Sequence, residues 1–509
     1  MGQRINKIRQ GLRLLSGERL RAIRRGIEKE SLRVQRDGTL ALTPHPAQLG
    51  SALTHSCITT DFSESQLELI TGVHGVVESC LEELQQIHQF VYRAIGDEML
   101  WVGSMPCGLP VDETIPIARY GTSNIGRAKS VYRMGLGYRY GRRMQAISGI
   151  HYNWSIPGLS SAQYFALIRN FRRHSFFLLL LFGASPAVCA SFVSGRAHAL
   201  QTIRANTLGL PFATSLRMGR LGYQSDAQAT LAVSYNSLEQ YANSLLEALT
   251  RPYPSYQAIG VRSPGGEYNQ LSTSLLQIEN EFYGTIRPKR VTHAGERPLH
   301  ALIDRGVEYV EVRCMDLNPF EAIGIGASTC RFLDLFLLHC LLVDSPPDTP
   351  VEIAALERNQ QEVSERGRTP GLLLRRGDQD VAAAEWGEEL LKELAPIAAA
   401  MDAAYRGTDY TEALRSAQAA LQDPARLPSA RMLEVMNTQC NGAYVPFICA
   451  QSDRAKSQLL SEPWDARRES RFVQLSEASI TAQAALEAAE RISFEEYLQR
   501  FLAPRQLAD

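Results

Sequence analysis

No pair of cysteines in this chain has the C-x-x-C spacing of a zinc or dithiol site, and no apolar run is long enough to cross a bilayer. The nine cysteines are odd in number and widely spread: Cys57, Cys80, Cys107, Cys189, Cys314, Cys330, Cys340, Cys440 and Cys449. That pattern predicts reduced thiols in a cytoplasmic protein and excludes a disulfide scaffold. The longest apolar stretch, residues 176–193, is broken by Gly183, Ser185, Pro186 and Ser191. It reads as a buried helix followed by a turn. The N-terminus, MGQRINKIRQGLRLL, is basic but lacks the apolar core and small-residue cleavage site of a secretory signal. Excess charge is lacking too. Lys and Arg number 53 against 54 Asp and Glu, a net charge of −1. Nothing in that balance points to nucleic acid or to a membrane surface. Local basic clusters (Arg21, Arg24 and Arg25; Arg142 and Arg143; Arg172 and Arg173) read as solvated surface.

What is present is ordinary globular material, 45% hydrophobic and 21% charged over 509 residues, with room for two to four domains. Residues 1–25 place apolar and basic positions at helical spacing. Period-two alternation marks strands in IEKESLRV (27–34), CITTDF (57–62), AISGIHYNWSI (146–156), LLQIENEFY (275–283) and GVEYVEVRCMDL (306–317). Residues 77–95 and 161–182 read as helices. Beyond about residue 350 the chain turns rich in Ala, Leu and Glu at helical period, around 381–401, 411–421 and 475–502. The expected organisation is a mixed catalytic body over 1–350 and a mostly helical region, 351–509, packed on it.

Carboxylates carry the first chemical signal. Glu28 and Glu30 are two apart on one strand and share a face, as Glu311 and Arg313 do on another. His151 lies mid-strand with Gly149 and Asn153 on its face. Charged groups on a core-facing strand need partners or a metal. A funnel of oxygen ligands with few histidines suits magnesium or manganese, hence phosphoryl transfer. The plain alternative is a solvent-facing E-x-E stripe and a structural histidine. GTSNIGRAKSVYR (121–133) has two glycines at phosphate-loop spacing, but Arg127 and Ala128 stand before Lys129. It is therefore not a P-loop, and a capped helix start fits as well. IRPKR (286–290) offers cations to phosphates or forms a solvated turn.

Together these segments resemble the proteobacterial glutamate–cysteine ligases. The resemblance is carried by RGIEKESLRV (25–34), LGSALTHSCITTDFSESQLELIT (49–71), ARYGTSNIGRAKSVYR (118–133), MQAISGIHYNWSIP (144–157), LFGASPAVCASF (181–192), LPFATSLRMGRLGY (210–223), LLQIENEFYGTIRPKR (275–290) and GVEYVEVRCMDLNPF (306–320). RTPGLLL (368–374) extends it weakly. The resemblance implies an α+β, glutamine-synthetase-like fold, in which a curved antiparallel sheet forms a funnel surrounded by helices. It implies Glu28, Glu30, Asp61, Glu68, His151 and Glu311 as ligands of Mg2+, with Mn2+ as a substitute. Arg217 and Arg313 match positions that bind glutamate and steer an acyl phosphate. Phe62, Tyr132, Leu136, Gln145, Tyr223 and Tyr283 resemble a cysteine pocket. Arg287 and Lys289 are expected nucleotide contacts on chemical grounds.

The implied partners are ATP, L-glutamate and L-cysteine, with glutathione as feedback inhibitor and a monomeric, cytoplasmic protein. The implied reaction joins the γ-carboxylate of glutamate to the cysteine amine through a γ-glutamyl phosphate. The stretch between Pro157 and Tyr164 is shorter than in the enteric relatives. Cys314 stands where they commonly have serine, on the strand face opposite Arg313, which suits packing. Two other readings compete: a ligase of the same fold using another acceptor, and a non-catalytic nucleotide or amino-acid sensor. A bifunctional glutathione-making enzyme is not expected, since the region after 350 has neither the length nor the glycine-rich phosphate loops of a second, ATP-grasp-type domain.

Overall fold

A computed structural model describes residues 2–222, 226–229, 231–293 and 295–503. The eleven-residue strand β1 (Arg24–Val34), buried along nearly its whole length, is central to the main sheet. It is joined by β2 (Ile58–Thr60), β3 (Gln66–Ile70), β4 (Met99–Leu100) and β5 (Ile150–Ser155). A small separate sheet holds β6 (Ala187–Cys189), β7 (Gln201–Arg204) and β8 (Thr207–Gly209). Then β9 (Ile286–Lys289) and β10 (Tyr309–Met315) return to the main sheet, and β11 (Leu373–Arg376) and β12 (Gln379–Ala382) form a hairpin. The main sheet runs β2-β3-β1-β5-β10-β9, with β4 paired to β1, and every pairing is antiparallel. This is the α+β arrangement that the resemblance implied.

The register places chemistry on one face. Glu30 pairs with Glu68, Glu28 with His151, and Glu311 with Asn153 and Arg287. Between Val312 and Met315 the ladder shifts: three steps along β10 match two along β5. Such a bulge re-aims side chains near active sites. Here it lies at Arg313 and Cys314, opposite His151. Cys314 is buried in the core behind the sheet, as packing required.

The back face carries Ile27, Ile150, Tyr152, Trp154, Val310 and Val312, all buried in one core with helices Val77–Ala94, Ser161–His174 and Ala327–Leu342. Lys29 also points back. Its Nζ donates to Ser31 Oγ at 2.5 Å and lies 3.1 Å from His88 Nε2, and burial lowers its pKa to about 7. Residues beyond 350 share this core, including Trp386, Leu390, Leu394, Met401 and Tyr410.

Four expectations change. Arg25 is not solvated: it is 1% exposed and bonds Asp334 at 2.9 Å, with the Tyr152 and Tyr410 hydroxyls on the same carboxylate. Leu275–Tyr283 is not a strand but a loop with a short 3-10 turn at Glu279–Glu281. Its alternating polar positions matched period two for another reason. The Glu281 carboxylate accepts the Gln277 N–H at 2.6 Å and that of Glu279 accepts the Leu299 N–H at 2.7 Å, which bends the chain. Residues 286–289 form a buried strand, β9, in place of a solvated turn. Finally, the thiols are not all free: Cys107 and Cys189 form a disulfide with Cα atoms 5.3 Å apart, and the other seven are free. Among the described residues no helix is long and apolar enough to cross a membrane.

Candidate active site

Helices cover the back of the sheet, so the charged front face becomes the wall of a cavity of about 280 Å³. All fifteen described candidate residues line it. Tyr223, the sixteenth, lies outside the described residues.

His151 links two carboxylates. Its Nδ1 lies 3.1 Å from Glu28 Oε2 and its Nε2 3.7 Å from Glu30 Oε1. Asn153 Nδ2 donates to Glu28 Oε1 at 2.8 Å and the Gly149 N–H to Glu30 Oε2 at 2.7 Å, which orients both carboxylates. Two triplets result, Glu28–His151–Glu311 and Glu30–Glu68–His151, each with donor atoms within 4.8 Å of one another. Asp61 lines the same cavity but joins neither triplet.

The opposite wall is cationic. Lys289 Nζ reaches Glu311 Oε1 at 3.0 Å and Arg313 Nη1 donates to Glu311 Oε2 at 2.7 Å. Arg217 threads over Gly149 and donates from Nη2 to the Arg313 carbonyl at 2.8 Å. A Cβ on Gly149 would fall 2.0 Å from that guanidinium, so any side chain there would push Arg217 out of this position. Arg287 is held by the carbonyls of Asn280, at 2.9 Å, and Phe282.

These two walls set the protonation pattern. Burial and Glu311 push the Glu28 carboxyl up, but His151 and Lys289 outweigh them and hold it below its ordinary range. Burial likewise opposes ionisation of Glu311, yet Lys289, Arg313 and His151 keep it well below. On Glu30 and Glu68 the nearby arginines do not outweigh burial, and the sign reverses. Burial and Asp61 raise Glu30 to about 8, and burial with Glu28, Asp61 and Glu30 raises Glu68 well above its ordinary value. Burial and Arg313 lower the His151 pKa, so a neutral imidazole is available as a ligand. Carboxyls that hold protons because they are buried, and buried beside other carboxylates, lack compensating positive charge. A divalent cation supplies it, so the donor set fits magnesium or manganese.

A less charged end of the cavity is built by Phe62, Tyr132, Leu136, Gln145 and Tyr283. Gln145 Nε2 donates to the Tyr283 hydroxyl at 2.7 Å, and Tyr140 meets the Tyr283 ring edge-on at 5.8 Å. Helix Asn124–Tyr140, capped by Ser123, brings Tyr132 and Leu136 there one turn apart. The non-P-loop glycines thus belong to a capped helix start.

Sequence reasoning missed Arg133, Met218, Asn280, Gly284, Thr285 and Gln360 as cavity residues. Arg133 was legible as the neighbour of Tyr132 on a helix. Gln360 carries no local signal, since it comes from helix Pro350–Arg366, outside the segments that bear the alternation.

Comparison with known proteins agrees with this geometry. Residues 13–363 match the family model described as glutamate–cysteine ligase. A glutamate–cysteine ligase of Alcanivorax borkumensis is 46% identical over 501 residues, covering 94% of this chain and 95% of the relative. One of Azotobacter vinelandii is 47% identical over 508 residues, covering 96% of each. The crystal structure of a Francisella tularensis glutamate–cysteine ligase in complex with AMP superposes with a TM-score of 0.90 at 36% identity, covering 94% of this chain and 97% of that one. A bifunctional glutathione synthetase from Pasteurella multocida superposes with a TM-score of 0.70 at 25% identity, this chain spanning 57% of its length.

Proposed function

The chain belongs to the glutamate–cysteine ligase family and catalyses the ATP-dependent joining of glutamate to cysteine, the ligation step of glutathione synthesis; from that premise we propose how its cavity does so. The observation that carries the proposal is a single cavity with two pairs of glutamates, each completed to a triplet by the shared His151, beside a cluster of cations. Carboxylates alone would repel a triphosphate, and cations alone would leave no place for metal.

Glu28, Glu30, Glu68, His151 and Glu311, with Asp61 beside them, would hold Mg2+ or Mn2+. The bound ion supplies charge neutralisation for the phosphates. The chain's own groups do the rest. Arg217 and Arg313 hold the glutamate and the transferred phosphoryl group in line, and Arg287 and Lys289 contact the nucleotide. The γ-carboxylate of glutamate attacks the γ-phosphorus, the bond to the bridging oxygen breaks, and ADP leaves. The cysteine amine then attacks the acyl carbon of the γ-glutamyl phosphate, gives up a proton, and phosphate leaves. Phe62, Tyr132, Leu136, Gln145 and Tyr283 enclose the acceptor side chain, with Tyr223 assigned there by resemblance. We place the chemistry in residues 1–350 and give 351–509, which adds Gln360 to the cavity wall, the role of bracing it. The protein acts as a cytoplasmic monomer inhibited by glutathione.

The test is phosphate release by the purified protein with Mg-ATP and glutamate. Sustained release that requires cysteine and yields γ-glutamylcysteine is the expected result. A pocket this apolar separates near-isosteres only modestly, so 2-aminobutyrate should replace cysteine with kcat/KM lower by about 10- to 200-fold. Release that ignores cysteine and follows another amine would transfer the proposal to a different acceptor.

A second expectation concerns pH. In the metal-free fold Glu30 stays protonated up to about 8, and Glu68 is raised as well. Between the ordinary carboxylate range and that value, the folded state binds more protons than the unfolded chain. Stability of the metal-free protein therefore falls as pH rises through this window. A divalent cation replaces the protons, so the rise in Tm on adding Mg2+ should be larger at about pH 8 than at about pH 6. Glu68→Gln, which imitates the protonated form, should flatten the metal-free slope. A metal effect on Tm that is the same at both pH values would count against these ligands.

A further inference from the structure

The carboxyl-terminal helices Ala466–Ala488 and Phe494–Leu502 contribute no residue to the cavity wall, yet they grip the helix that does. Helix Asn124–Tyr140 presents Tyr132, Arg133 and Leu136 to the cavity. Its first turn leaves backbone N–H groups that need acceptors. Ser123 satisfies one, that of Gly126. Partners for the chain entering the helix come from more than 360 residues away. The Asn124 N–H and Nδ2 donate to the two oxygens of Glu490 at 2.8 and 2.5 Å, and Nδ2 also reaches the Ile492 carbonyl at 3.0 Å. The Thr122 N–H donates to Glu487 at 2.8 Å. Two carboxylates at a helix N-terminus also complement its dipole.

One turn further on, the grip becomes apolar. Phe494 lies under the Arg127 guanidinium at 4.1 Å. Phe494 and Leu498 form a small core with Ala128 and Leu271, separate from the main core, and Tyr132 and Ile278 pack on it. Glu495 binds Arg262 at 2.6 Å, and Gln277 Nε2 donates to the Tyr132 carbonyl at 3.2 Å. The same short segment thus holds both the helix bearing Tyr132 and the stretch leading to Tyr283. Most of the metal and phosphate residues sit on strands of the main sheet, while Asp61 and Arg217 lie on connections between elements; of these residues Arg287 touches the gripped stretch, through the Asn280 and Phe282 carbonyls.

We propose that the segment 487–498, through Glu490 and Phe494, positions the acceptor pocket and thereby sets the affinity for cysteine. The inference rests on the assignment of Tyr132 and Leu136 to that pocket. Glu490 and Phe494 are positioning residues: they act by fixing the height and rotation of helix Asn124–Tyr140. Small displacements of binding groups by distant changes are costly to turnover of the affected substrate alone.

The test uses full-length Glu490→Ala, Glu490→Gln, Phe494→Ala and Tyr132→Ala, with KM measured separately for cysteine, glutamate and ATP, and with thermal melting. For Glu490→Ala and Phe494→Ala, KM for cysteine should rise by roughly tenfold, while KM for glutamate and ATP moves less than about twofold. Glu490→Gln keeps an acceptor for the Asn124 N–H and should recover most of the loss. Tyr132→Ala should raise the same KM directly. If Tyr132→Ala raises it and the Glu490 and Phe494 variants do not, the positioning role is wrong and the pocket assignment stands. If Tyr132→Ala also leaves it unchanged, the pocket assignment falls and the inference with it. A parallel rise of all three KM values with a lower Tm would mark a general brace and overturn the inference.

Discussion

Replacing Glu28 with glutamine lowers kcat for γ-glutamylcysteine formation by at least about a hundredfold while leaving the fold intact. Glutamine matches the shape of glutamate, so the β1 register and the packing of Ile27 behind it are kept. What is lost is a charge held ionised by His151 and Lys289 and oriented by Asn153. Glu28 belongs to the triplet nearest the cationic wall, where carboxylate and phosphate charge must be reconciled. With Glu28 neutral, Lys289 and Arg313 turn entirely to Glu311, and the cation expected there loses a charged ligand. Phosphate release with and without cysteine measures the loss, and titration of Mg2+ shows whether more metal restores it. Partial rescue by high Mg2+ supports metal ligation. Full activity in the variant would keep the reaction and remove Glu28 from the site.

Arg313→Ala is expected to reduce kcat by about 10²- to 10³-fold, with a smaller change in KM for cysteine. The bulge in β10 and the bond to Glu311 present this guanidinium to the cavity. Glu311 outweighs the effect of burial and raises the Arg313 pKa further above its ordinary value, so the group remains cationic at every pH at which the protein is folded. It therefore contributes fixed charge where charge develops on the transferred phosphoryl group, and adds no limb to the pH profile. Arg313→Lys should recover only part of the rate. An ammonium keeps the charge but not the planar fork that holds two oxygens at once. The carbonyl that Arg217 holds remains in Arg313→Ala, but buried Glu311 loses a cationic partner, so thermal melting must accompany the kinetics. A loss of less than about threefold would assign the charge role to Arg217 alone.

Alternation along 27–34, 146–156 and 306–317 was enough to place Glu28 with Glu30, Gly149 with His151 and Asn153, and Glu311 with Arg313. A strand admits only two faces, so those groupings follow from the order of residues. Many ordered segments likewise identified the family before any fold was known. The sequence could not decide which face was solvent and which was cavity. E-x-E reads equally well as an exposed stripe until helices Val77–Ala94 and Ser161–His174 cover the other side. Leu275–Tyr283 imitated a strand because Glu279 and Glu281 alternate, although the Glu281 carboxylate serves the Gln277 N–H within the loop and that of Glu279 serves the Leu299 N–H at the start of helix Pro298–Arg305. Arg25 looked like surface because its partner, Asp334, lies 309 residues away.

The rest was decided by tertiary structure alone. The bulge that aims Arg313, the lone histidine placed between two carboxylates, the approach of Arg217 over Gly149 and the grip of Glu490 on Asn124 all join segments distant in the chain. Each depends on where the packing of a whole core brings two backbones together, and no local pattern encodes that.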